Sequence, residues 1–187
     1  MEHQIGFPTN IFIGDNFINS LEGPEYTDGF IQGMKKHIEK LWAKRDKNKP
    51  NFQTHPFLYN EKEFQPLADL ILKKNLENMK TLKYNVELEN LFMSGMWANI
   101  IAPGEMHRAH THSNNLWSGV YYLYSDQNAG ITFQDPRPAA DVLVPRKLEH
   151  TTENSNLLLY ASKTNRAIIF PSWLMHWVNT NTSKSNR

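Results

Sequence analysis

Three histidines in the second half of the chain have the type and spacing of a metal site. His110 and His112 flank a single threonine, and His176 follows 64 residues after His112. On an extended strand, residues two apart point to the same face, so His110 and His112 can grip one ion together. Neutral imidazole is the commonest metal-binding side chain. A third imidazole from a distant strand completes a facial set and leaves coordination positions open for small reactants. His176 lies in Phe170-Pro171-Ser172-Trp173-Leu174-Met175-His176-Trp177. Burying an imidazole among such aromatics is costly unless it has a partner, and a metal would be one. By strand parity His107 points away from His112, which gives it a supporting or surface role. His3, His37, His55 and His150 read as ordinary polar residues.

Composition narrows the chemistry. Cysteine is absent, so disulfides and thiolate metal sites are excluded, and any metal rests on imidazole, carboxylate or backbone oxygen. Twenty basic residues stand against 19 acidic ones, with no basic block, so no nucleic-acid partner is expected. The N-terminus has no basic region leading into an apolar run, and no apolar stretch is long enough to span a bilayer. Together with the lack of cysteine, this gives the expectation of a cytoplasmic protein without a membrane partner.

The elements that must position the histidines fall into two blocks within one domain, 1–187. Residues 1–83 read as mainly helical support. A short strand over 5–13 is broken at Pro8. Gly23-Pro24 opens a helix with Phe30, Ile31, Met34, Ile38, Leu41 and Trp42 on one face, and a second helix covers 63–79. Residues 84–187 read as short strands separated by Gly, Pro, Asn and Asp: 84–93, 96–101, 107–112, 117–124, 130–133, 156–161, 167–170 and 174–178. Helices followed by many strands predict an α+β chain whose β part is a sandwich or jelly roll. The irregular stretch 134–154, with Pro136, Pro138 and Pro145, is long enough to carry function and reads as a lid over the site.

The order of motifs then resembles a known family. After His110-Thr111-His112 come Ser118-Gly119-Val120-Tyr121-Tyr122-Leu123, then Asp135-Pro136-Arg137, then Phe170-Pro171-Ser172 with His176 four residues on, then Arg187. This resembles a family of 2-oxoglutarate- and iron(II)-dependent oxygenases of marine bacteria and phages, and the opening Phe7-Pro8-Thr9 resembles the family's start. More distantly the arrangement is similar to prolyl hydroxylases. The resemblance implies a double-stranded β-helix, a cupin-like jelly roll with helices packed outside. It implies iron(II) as metal, 2-oxoglutarate as co-substrate, and hydroxylation of a small-molecule or peptidyl substrate.

Carried over residue by residue, His110 and His176 are metal ligands, and His112 stands where most relatives have a carboxylate. A nearby acid, Asp126 or Asp135, is the alternative third ligand; parity favours His112. The far carboxylate of 2-oxoglutarate needs a cation, best a guanidinium, and the resemblance puts Arg187 there. Tyr122 matches a tyrosine whose hydroxyl contacts the same carboxylate, and Asn99 is a further contact on the preceding strand. In the family a last strand continues from this arginine, so either the chain is shortened after Arg187 or the jelly roll lacks its final strand, and in both cases Arg187 is expected to be loosely held. Three rival readings stay open: a cupin-like metal protein that does not use oxoglutarate, a non-catalytic jelly roll for binding or assembly, and zinc or nickel on the same three ligands.

Overall fold

Among the described residues, nine short strands, two long helices and three 3-10 turns make up the regular structure. The computed structural model describes residues 1–21, 24–125, 130–137, 139 and 142–187. In chain order the strands and helices are β1 (Phe12–Gly14), α1 (Pro24–Ala43), β2 (Phe52–Gln53), α2 (Gln65–Thr81), β3 (Asn99–Ile100), β4 (His107–His110), β5 (Trp117–Tyr121), β6 (Gly130–Gln134), β7 (Leu157–Ala161), β8 (Ala167–Pro171) and β9 (His176–Val178). Among the described residues, no helix is long and apolar enough to cross a membrane.

The strands form two main antiparallel sheets. The front sheet has the order β1-β8-β5 and the back sheet β4-β9-β6-β7, while β2 and β3 pair separately. The helical first block therefore lends a strand, β1, to the front sheet, where Phe12 faces Ile169. Strand β8 is buried along its whole length. Its run Ala167-Ile168-Ile169-Phe170 is β-branched and apolar on both faces, as a strand covered on both sides requires.

Two apolar cores follow from that burial. Between the sheets lie Ile131, Phe133, Ile168, Phe170 and Leu174, joined by Val120, Tyr122 and Tyr160. On the outer side of the front sheet, Ala167, Tyr121 and Leu123 meet Met34, Ile38, Leu67 and Leu70 of the helices. The helical stripes predicted from sequence are thus packing surfaces, and α1 and α2 back the front sheet.

Two expectations from sequence change. Residues 84–93 form no strand: Leu88–Asn90 is a 3-10 turn in which the Glu87 and Asn90 side chains satisfy each other's backbone ends. Such local caps compete with strand pairing. Arg187 is not loosely held, because its backbone N–H donates to the Ile101 carbonyl at 2.9 Å and its carbonyl accepts from the Ile101 N–H at 2.8 Å.

Candidate metal centre

The site forms where the chain crosses between sheets. From β4 in the back sheet, residues 111–116 cross to β5 in the front sheet. From β8 in the front sheet, residues 172–175 cross back to β9. The two crossings are tied together: the His112 N–H donates to the Ser172 carbonyl at 2.9 Å, and the Ser172 N–H donates to the Leu116 carbonyl at 3.1 Å. Ser172 is fully buried, and its hydroxyl meets that of Ser118 at 2.7 Å. Asn114 turns the first crossing with a φ of 61°, a left-handed conformation that asparagine tolerates. The first crossing leaves β4 at His110 and contains His112, and the second enters β9 at His176.

In the back sheet His110 lies directly across from His176, which in turn lies across from Phe133. The candidate ligand nitrogens of His110, His112 and His176 all lie within 4.8 Å of one another. Their ring centroids are 5.0 Å (110 to 112), 4.3 Å (110 to 176) and 5.1 Å (112 to 176) apart. The backbone sets the tautomer of two rings. His110 Nδ1 is 2.7 Å from the Arg108 carbonyl, and His176 Nδ1 is 2.8 Å from the Leu174 carbonyl. A carbonyl only accepts, so both Nδ1 atoms carry the proton and both Nε2 lone pairs face outward as ligands.

Burial favours the neutral form of His176 and His112. His176 is 3% exposed, with the Phe170 ring 4.7 Å from its own and the Phe133 ring at 6.1 Å. Desolvation pushes its pKa down to about 4, against the pull of the Leu174 carbonyl, which raises it. His112, beside Trp97 at 5.8 Å between rings, is lowered mainly by burial and then by the charges of His110 and His107. Neutral imidazole is the form that binds metal, so the site is ready for a cation near neutral pH. The donor set, three nitrogens with at least two Nε2 lone pairs converging, fits a first-row transition metal.

His107 is the residue that parity misplaces. It is three positions from His110 and should face the other way. A register shift lies between them, since His107 pairs with Val178 and His110 with His176. A bulge of this kind re-aims side chains. The His107 ring stacks on that of His110 at 4.6 Å and 26°, which braces the ligand from the side. No feature of a single sequence announces such a bulge.

The other candidates separate. Tyr122 lies just beyond β5, still hydrogen-bonded to Asn165 and Arg166 through its backbone, and its ring joins the core between the sheets. Its hydroxyl is buried without a hydrogen-bond partner among the described residues. Burial pushes its pKa up to about 12, while the nearby charges of Arg187 and Arg166 pull it down. Of the two guanidinium groups, that of Arg166 is held by the Asp15 carboxylate at 2.6 and 3.0 Å. The Arg187 Nη2 donates to the Asn179 carbonyl at 2.8 Å. Asn99 stands on β3 across from Gln53 with an exposed side chain, unlike Tyr122 and Arg187, which are half-buried. Asp135 is held by Arg137 through two guanidinium nitrogens, 2.6 and 2.9 Å away, and is not in the histidine cluster. Asp126 lies outside the described residues. Within the long loop, Leu143 to Glu149 with Thr151, Asn154 and Asn156 line a groove of their own, about 520 Å³, which includes none of the three histidines.

A family described as "Putative 2OG-Fe(II) oxygenase" matches residues 95–187, the segment that contains every residue of this site. No curated protein sequence matches the chain. Solved structures with a similar fold include a prolyl-4-hydroxylase of Pseudomonas putida, at 11% identity and a TM-score of 0.54, covering 96% of this chain and 83% of that one. HygX of Streptomyces hygroscopicus, solved with nickel and 2-oxoglutarate, is 11% identical with a TM-score of 0.61, over 96% and 79%. The α-ketoglutarate-dependent epimerase SnoN of nogalamycin biosynthesis is 8% identical with a TM-score of 0.60, over 96% and 73%. At such identities the likeness is one of fold.

Proposed function

We propose, because residues 95–187 match the family described as "Putative 2OG-Fe(II) oxygenase", that the protein is a 2-oxoglutarate- and iron(II)-dependent dioxygenase that hydroxylates a small-molecule or peptidyl substrate. Its two antiparallel sheets then form a double-stranded β-helix with α1 and α2 packed outside. The observation that carries the reading is the convergence of His110, His112 and His176 on one point between two crossings of the chain.

Each residue has a task in this reading. His110 and His176 bind the metal through Nε2, oriented by the Arg108 and Leu174 carbonyls, and His112 is the third ligand. Three imidazoles carry no net charge, so the metal keeps more positive charge than beside a carboxylate ligand, and anionic co-substrate binds it more strongly. Phe170 and Phe133 exclude water from the His176 side. The Tyr122 hydroxyl and the Arg187 guanidinium receive the far carboxylate of 2-oxoglutarate, where the charge-assisted contact answers the buried phenol's missing partner. Asn99 is a lesser contact at the edge of that region. When bound, iron(II) with 2-oxoglutarate would supply the oxidising chemistry, in which dioxygen gives one atom to succinate as carbon dioxide leaves and the other to the substrate.

The test is a pair of titrations without oxygen. Iron(II) binds with one equivalent per chain, and 2-oxoglutarate added afterwards produces a metal-to-ligand absorption band that His110→Ala abolishes. Stoichiometric metal binding with no uptake of 2-oxoglutarate would instead favour a cupin-like metal protein. Failure to bind any transition metal would leave a jelly roll for binding or assembly. Product analysis separates hydroxylation, which adds an oxygen atom, from a stereochemical change that adds none.

A further inference from the structure

We propose that Asn181 is a positioning residue that sets Arg187, and through it the affinity for the far carboxylate of 2-oxoglutarate. The proposal rests on the dioxygenase reading above and goes beyond it by naming what holds the carboxylate-binding arginine in place.

Between Asn179 and Arg187, Asn181 has the only buried side chain, 2% exposed, while Thr182, Lys184, Ser185 and Asn186 face solvent. No apolar anchor therefore holds this segment. Its hold is polar and centres on one amide. The Asn181 Nδ2 donates to the Ile101 carbonyl at 3.0 Å and to the Ser185 carbonyl at 2.8 Å. Its Oδ1 accepts from the Ser183 N–H at 3.1 Å and from the Ser183 hydroxyl at 2.7 Å. Both donors and both acceptor sites of the amide are in use. Its backbone is fixed as well: the Asn181 N–H donates to the Glu105 carbonyl and its carbonyl accepts from the Gly104 N–H, both at 2.8 Å.

These bonds fold residues 181–187 back onto the turn that precedes β4. The return ends in the two-bond pairing of Arg187 with Ile101. The Ile101 carbonyl thus accepts from both the Asn181 amide and the Arg187 N–H, so one side chain fixes the register of the arginine. The guanidinium then sits where its charge reaches the Tyr122 hydroxyl. Aspartate at 181 would lose both donors, and alanine would free Ile101 and Ser185 together. Displacement of a bidentate cation by even a small distance weakens carboxylate capture, because its geometry is what makes the contact strong.

The experiment compares wild type with Asn181→Ala on nickel(II)-loaded protein, measuring 2-oxoglutarate affinity by calorimetry and amide exchange by NMR. In the variant, exchange at the Arg187 amide accelerates while the His112 amide stays protected. Nickel affinity is unchanged, and 2-oxoglutarate binds roughly tenfold more weakly, the loss expected for one disturbed charge-assisted contact. In an Arg187→Gln background the same change costs nothing further, because Asn181 acts through the arginine. Should Asn181→Ala not fold, Ser183→Ala opens the same knot from its outer side, with a smaller loss of the same kind. Unchanged 2-oxoglutarate affinity, an equal loss of nickel affinity, or an additive loss beside Arg187→Gln each overturns the proposal. Wild-type protein that binds nickel but no 2-oxoglutarate sinks the dioxygenase reading itself, and this one with it.

Discussion

Acidification of the metal-free protein probes the physical state of the site more sharply than any substitution. His176 has a pKa near 6.5 in an unfolded chain and about 4 in the fold, where Phe170 and Phe133 deny its cation water. The unfolded chain therefore takes up the proton first. Stability from this residue is complete above pH 6.5 and falls as the pH drops toward 4. That difference corresponds to about 3 kcal/mol, of which about 2 kcal/mol is already lost at pH 5. Urea unfolding in the presence of a chelator, at pH 7 and pH 5, measures the loss. His176→Gln is the reference, because its amide fills similar space and does not titrate. The wild type should lose about 2 kcal/mol more than the variant over this interval. Parallel losses in the two proteins would refute the account, since they would show that the His176 ring meets its proton as easily inside the fold as outside.

Two further outcomes follow from single residues. Tyr122→Phe removes a buried hydroxyl that has no hydrogen-bond partner among the described residues, so the metal-free variant should be as stable as wild type or more so, by up to about 1 kcal/mol in denaturant unfolding, yet bind 2-oxoglutarate more weakly in calorimetry. Gly130 opens β6 where a Cβ would collide with the Tyr160 carbonyl of β7. Gly130→Ala should therefore lower stability by about 1–3 kcal/mol in the same unfolding assay, and an unchanged midpoint would mean that the β6–β7 pairing yields there.

Much of the architecture was legible because its periods are simple. The α1 stripe Phe30, Ile31, Met34, Ile38, Leu41, and the strands carrying Trp117–Tyr121, Gly130–Gln134 and Ala167–Pro171, stand close to where hydrophobic spacing puts them. The three-histidine cluster was legible for the same reason, since His110 and His112 share a face and His176 carries an apolar setting that asks for a partner. What spacing could not supply was register. The bulge before His110 turns His107 into a neighbour of the cluster, and parity counting has no term for an extra residue. The pairing of Arg187 with Ile101 was equally hidden, because it depends on the buried Asn181 amide and not on any apolar pattern. The segment 84–93 failed for the opposite reason: alternation suggested a strand, but Glu87 and Asn90 close a local turn first.

The two crossings bonded through Ser172 have an evolutionary consequence. His110 borders and His112 lies in the first, His176 borders the second, and neither hydrogen bond that joins the two crossings involves a residue of the long loop after β6. Sequence drift in that loop can reshape what the surface greets while the inner trio keeps its spacing. Diversification and preservation are thereby assigned to different stretches of one small chain, and a lineage can explore new clients without rebuilding its reactive heart.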